Sequence, residues 1–166
     1  MTTMDSTTRP AVLGDGAIGT FTAAVADWAT STDHKKIGRL FAGCGLVSLA
    51  GYAVLGLLLA LERAAANDSV LPENSLVQLF QAHRIGMIFD GLLPLTLGLA
   101  IAVVPMQLGA RSIAFARLAL TSFYLWLGGI ILIGVSLIGN GGINGGEPQM
   151  VDLFLAGHGL MLLGLI

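Results

Sequence analysis

A chain of 166 residues in which 55% are hydrophobic and 11% charged is too apolar for a soluble globular domain; its mean hydropathy of +0.84 is that of an integral membrane protein. A net charge of −2 offers no basic surface, so nucleic acid is excluded as a partner and the lipid membrane takes its place. Cys44 is the only cysteine, which excludes an intrachain disulfide and reads as a small core residue.

Residues 1–16, rich in Thr, Asp, Gly and Pro, have nothing to bury and read as a disordered tail. Ile18, Phe21, Val25 and Trp28 then line one face of a short helix, the pattern of an interfacial helix ahead of a first span, and residues 17–36 are assigned to this helix and its cap. No signal peptide is visible, so the first span acts as its own insertion signal. Ser31, Thr32 and Asp33 are the candidate amino-terminal caps of that span, and His34 beside Lys35 and Lys36 reads as a solvated helix-start residue.

Span one covers 37–61, about 25 residues at 1.5 Å each, enough for roughly 30 Å of hydrocarbon. The linker that follows carries Glu62, Asp68 and Glu73 against Arg63 alone, and Pro72 breaks it. Span two covers about 76–104, closed by Pro105 and kinked at Pro94. A short turn with Arg111 leads to span three, about 113–138, and the segment from Gly139 to Pro148 is a glycine-rich loop. A fourth apolar helix starts near Val151 and the sequence stops at Ile166; those residues cover only about 24 Å, so the chain reads as cut inside a helix. The fold class is therefore an all-α polytopic transmembrane bundle, with three full spans plus an incomplete fourth over 37–166. Basic residues cluster before span one and after span two, while the other two loops are acidic or neutral, which places the amino terminus in the cytoplasm.

The chemistry-bearing residues gather in span two. Ionisable groups at membrane depth are costly and mark functional sites. His83, Met87, Asp90 and Pro94 fall at helical spacing on one stripe, and His83 lies about seven residues in, roughly 10 Å below the outer surface. An imidazole there can ligate a metal or haem iron through one nitrogen, or serve as a structural hydrogen-bonding residue. The neighbouring Ala82, Gly86 and Gly91 leave room for a flat macrocycle or for another helix. Asp90 is a candidate for a proton path, for pairing with Arg84, or for capping the break before Pro94. His158 is again intramembrane but has no second ligand-like residue beside it. No CxxC, P-loop or HExxH occurs, so the common soluble catalytic sites are absent.

Several stretches in order resemble subunit I of the haem-copper terminal oxidases, the cytochrome c oxidase subunit 1 family. They are Thr30 to Lys35; Ala82-His83; Met87-Ile88-Phe89; Pro94; Val104 to Ala110; Ala114 to Leu118; and Ser122-Phe123. The resemblance covers about 28–138 and places this chain at that subunit's amino-terminal part. It implies that His83 is an axial ligand of the low-spin haem, in an enzyme that moves electrons from cytochrome c or quinol to oxygen. It also implies subunits of the II and III type as partners and a bacterial inner (plasma) membrane as location. The sequence does not fix the haem type. Low-spin haem is thus the one cofactor reached from this segment; the high-spin haem and copper are expected only from residues absent here, so 166 residues alone are not catalytic.

The chain departs from the family pattern at Ala60, where an arginine is frequent. It departs again at Ser112, where the proton-pumping branch has an aspartate, and at Ala119 and Leu120, where that branch has paired asparagines. Two readings follow: the amino-terminal portion of a divergent subunit I, favoured by the abrupt end, or a shortened, non-catalytic structural subunit of an oxidase, favoured by the lost positions. The first is preferred. A small carrier with Asp90 as its ion site is a third, remote reading.

Overall fold

The computed structural model describes residues 17–65 and 71–166; the tail expected over 1–16 lies outside the described residues. These residues form helices and no strand. Helix α1 (Ala17–Ala29) belongs to a unit of its own that ends at Ser31. On it Phe21 and Val25 are exposed.

The second unit holds everything from Thr32 onward. Its first helix, α2 (His34–Ala64), starts where Asp33 caps it: the Asp33 Oδ1 accepts from the Lys35 backbone N–H at 2.9 Å. The inner face of α2 is His34, Ile37, Gly38, Phe41 and Gly45, all buried and spaced by three or four residues. His34 is therefore not solvated as its basic neighbours suggested. It occupies the first position of the buried stripe, 4% exposed, with Nδ1 3.6 Å from the Asp33 carboxylate.

Span two is one continuous helix with a change of winding inside it. It runs as α3 (Glu73–Gly86), a π-helical segment (Met87–Leu92) and α4 (Leu93–Gln107). Pro105 does not close it, because α4 carries Pro105 inside its last turn. The stop lies two residues past Gln107. Gly109 adopts φ +67°, its N–H donates to the Met106 carbonyl at 3.3 Å, and the Ala110 N–H donates to the Pro105 carbonyl at 2.8 Å. That reversal requires a left-handed residue, which glycine adopts freely.

Helix α5 (Ala116–Ile138) ends in the same way with Asn140 as the left-handed residue, φ 59°, and the Gly141 N–H donating to the Ser136 carbonyl at 2.8 Å. Helix α6 (Pro148–Leu165) begins three residues before the expected start, with Pro148 at its first position, where a missing N–H is harmless. Its 18 residues qualify it as a fourth candidate span beside the three longer ones.

The helices pack in two tight pairs. Glycines set both seams: a Cβ on Gly38 would meet the Gly98 carbonyl at 2.5 Å, and one on Gly129 would meet the Met161 nitrogen at 2.5 Å. Such close backbone approach is how membrane helices gain contact where lipid supplies no hydrophobic drive. Along α2 the partners are Gly98, then Leu95, then Gly86, then His83, so α2 and the α3–α4 helix run antiparallel. Lys35, Lys36 and Arg39 thus share one end of the unit with the loop carrying Arg111. A buried cluster of Ile37, Phe41, Phe123, Trp126, Ile133, Phe154 and Met161 joins the pairs, with the Phe41 and Phe123 rings edge to face at 5.2 Å.

Candidate functional site

Pro94 shapes the site. Its ring supplies no N–H and crowds the carbonyl of Asp90, four residues back. The helix widens instead: the Leu93 N–H donates to the Ile88 carbonyl, five residues back. In that register residue 94 should serve the Phe89 carbonyl and cannot. The indole Nε1 of Trp126, reaching across from α5, donates to it at 3.2 Å. The wide turn also resets the drift of an α-helix, so Gln78, Ala82, Gly86, Asp90, Pro94 and Gly98 all stay buried on one side at intervals of four.

The stripe expected from simple helical spacing is accordingly split. Asp90 and Pro94 are buried, whereas Met87 is 37% exposed. The Asp90 carboxylate, 3% exposed, accepts a hydrogen bond of 2.5 Å from the Tyr52 hydroxyl of α2. Arg84 does not pair with it: the guanidinium lies over the Phe80 ring, 5.9 Å from its centroid. The small residues beside His83 admit a helix, with the Tyr52 ring filling the place of a Gly86 side chain and Leu49 that of Gly91.

His83 stands apart from that contact. Its ring lies against Gly56 of α2, where a Cβ would come within 2.7 Å of Cε1. Its Nδ1 is buried without a hydrogen-bond partner among the described residues. The ring opens onto a groove of about 220 Å³ that Leu59, Ala60, Arg63 and Phe80 complete. The buried Nδ1 lacks a partner among the described residues, and glycine beneath the ring plus an apolar wall with one cation at its rim is a setting compatible with a haem edge that carries an anionic substituent. The residues present fit the group. Among the described residues no cluster of three metal-ligating side chains occurs.

His158 of α6 does not join His83. Its Nδ1 lies 2.9 Å from the Phe154 carbonyl, its ring packs at a tilt of 53° with its centroid 4.3 Å from that of Phe154, and it lines a small cavity with Tyr52 and Asp90. Sequence reasoning missed Tyr52, Gly56 and Trp126. A phenol and an indole at mid-span each need a polar partner, and Asp90 at matching depth in the antiparallel neighbour was the available signal for Tyr52.

Four apolar helices, the second of them carrying His83 and, one turn further on, a π-helical turn, define a polytopic membrane protein with a groove beside the histidine. The family model for cytochrome c and quinol oxidase polypeptide I matches residues 36–166, and the chain belongs to that family. It is 34% identical over 127 residues to quinol oxidase subunit 1 of Bacillus subtilis, covering 76% of this chain and 20% of that protein. It is 35% identical over 112 residues to the probable quinol oxidase subunit 1 of Staphylococcus aureus, covering 68% of this chain and 17% of the relative. The chain thus spans about a fifth of the length of the curated relatives it matches. Membership of the oxidase family removes the reading as an unrelated carrier.

Proposed function

We propose that this chain is the amino-terminal portion of subunit I of a haem-copper respiratory oxidase, in which His83 is an axial ligand of the low-spin haem. The observation that carries the reading is the His83 imidazole, which lines the groove between α2 and α3 and has a buried Nδ1 without a partner among the described residues. Gly56 gives the ring its place, Leu59 and Phe80 keep water out, and Arg63 offers donors to an anionic substituent. When bound, a low-spin haem stores and passes one electron at a time. The oxygen-reducing centre, with its high-spin haem and copper, is built from residues outside this chain.

Quinol is the preferred electron donor, because the relatives named above are quinol oxidases; cytochrome c is the alternative. The other partners are oxidase subunits of the II and III type. The complex sits in a bacterial plasma membrane with the basic end, Lys35 to Arg39 and Arg111, in the cytoplasm, and α1 lies in the membrane interface. The test is the visible spectrum of the full complex carrying His83→Ala. Loss of the low-spin haem signature with the subunits still co-purifying supports the reading, and an unchanged signature overturns it. Reduction of the wild-type complex by quinol, but not by cytochrome c, fixes the donor.

The shortened, non-catalytic subunit remains a second reading. It is favoured by Ala119 and Leu120, half-buried apolar side chains against the core where the pumping branch has asparagines. Haem that stays with the complex after His83→Ala, with assembly lost when α2 is altered, would select it.

A further inference from the structure

A second polar cluster lies deeper in the bundle than His83, and the haem reading makes no use of it. Three helices bring together the Tyr52 phenol, the Asp90 carboxyl and the His158 imidazole around a cavity of about 10 Å³. That is close to the room one water needs. The remaining wall is apolar: Ala82, Ile85 and Gly86 from α3, Ile133 from α5 and Phe154 from α6. Among the described residues no other titratable or charged group lines the cavity.

Hydrogen bonding assigns the atoms. Tyr52 donates to Oδ2 of Asp90, the one hydrogen bond that this carboxylate makes with the described residues. His158 Nδ1 faces a carbonyl, which can only accept, so Nδ1 carries the ring proton and Nε2 is the basic atom. Charge then fixes the proton count. A cluster with Asp90 ionised and His158 neutral would hold one uncompensated negative charge in a buried, lipid-embedded site, a costly state. Neutrality requires one more proton, on the carboxyl or on Nε2.

We propose that Tyr52, Asp90 and His158 form an internal proton-holding site. One exchangeable proton passes between the Asp90 carboxyl and His158 Nε2 through a single bridging water. In the forward direction the carboxyl O–H bond breaks, the water takes that proton and releases another to Nε2, leaving carboxylate and imidazolium; no electrons move. Tyr52 is a positioning residue that holds one carboxyl oxygen in both states. The site does not rest on His83 binding haem, and its test reads the carboxyl itself.

The experiment is infrared spectroscopy of the membrane-embedded complex in H₂O and D₂O across a pH series, following the deuterium-sensitive carbonyl band of a protonated carboxyl. Asp90→Asn, whose amide oxygen still accepts from Tyr52, is expected to abolish one such band. His158→Gln is expected to move the pH at which that band is half lost by about one unit, and Tyr52→Phe to shift its frequency. Absence of any band that Asp90→Asn removes overturns the site, as does a midpoint unchanged in His158→Gln. Should Asp90→Asn fail to accumulate, His158→Gln and Tyr52→Phe decide alone. A wild-type band that responds to both supports the site, and one that ignores either overturns it.

Discussion

The indole of Trp126 supplies the hydrogen bond that Pro94 cannot make, donating from Nε1 to the Phe89 carbonyl across the α5 and span-two interface. Trp126 is fully buried, so truncation leaves that carbonyl without donor or water. Trp126→Phe should destabilise the protein by about 1–2 kcal/mol from the lost bond. In a Pro94→Ala background residue 94 regains its N–H and the carbonyl is satisfied within the helix. The same Trp126→Phe change should then cost about 1 kcal/mol less, a coupling that a double-mutant cycle of unfolding in detergent measures. Strictly additive effects would mean that the indole acts by packing alone.

The α5–α6 seam predicts a contrast between two glycines. A Cβ on Gly129 would lie 2.5 Å from the Met161 nitrogen and 2.6 Å from the Gly157 carbonyl, both backbone atoms that cannot turn aside. Gly129→Ala should therefore force the helices apart and cost about 1–3 kcal/mol. Gly134, on the same helix, has nothing within 4 Å. Gly134→Ala should be neutral or stabilise by up to about 1 kcal/mol, because alanine is the better helix former. Thermal melts of the two variants side by side check the ordering.

At the opposite end from the basic cluster, Gln78 Nε2 donates to Asn140 Oδ1 at 2.6 Å and ties α3 to the loop after α5. Asn140 also carries the left-handed turn, at φ 59°. Asn140→Gly keeps the turn and loses only the bond, whereas Asn140→Val loses both and meets the steric penalty of a β-branched residue there. The expected order of thermal stability is wild type, then Asn140→Gly, then Asn140→Val. Gln78→Ala should match Asn140→Gly to within about 0.5 kcal/mol, since each removes the same contact.

Hydropathy made the fold class legible because a bilayer demands long uninterrupted apolar helices, and the structure has four helices of that length and composition. Pro94 was legible as a disturbance. Its resolution as a π-turn was not, since that depends on a donor from Trp126, far away in sequence. Pro105 misled because a proline lacks only its own N–H and its carbonyl can still accept from Ala110 in the Gly109 reversal, while the glycine that ends the helix looks ordinary in so glycine-rich a chain. His83 stood out as an ionisable group in a span. Gly56 beneath it did not, because a glycine's role here is set by which residue of the antiparallel helix lands on it.

That pairing of Gly56 with His83 gives the sharpest test of the groove. Gly56→Ala would place a methyl group 2.7 Å from His83 Cε1. The contact is to a side chain, which turns more easily than a helical backbone shifts, so the imidazole must swing. If the ring grips iron, the full complex should retain low-spin haem about tenfold less well or more, the cost usual for disturbing what orients a metal ligand. Gly51→Ala, a substitution on the same helix into open space, should leave haem content unchanged and stability within about 0.5 kcal/mol of wild type or slightly improved. Measuring haem per complex for the two variants separates a crowded ligand from a general weakening of α2. Equal loss in both would count against His83 as the ligand, whereas loss confined to Gly56→Ala ties the haem to that imidazole.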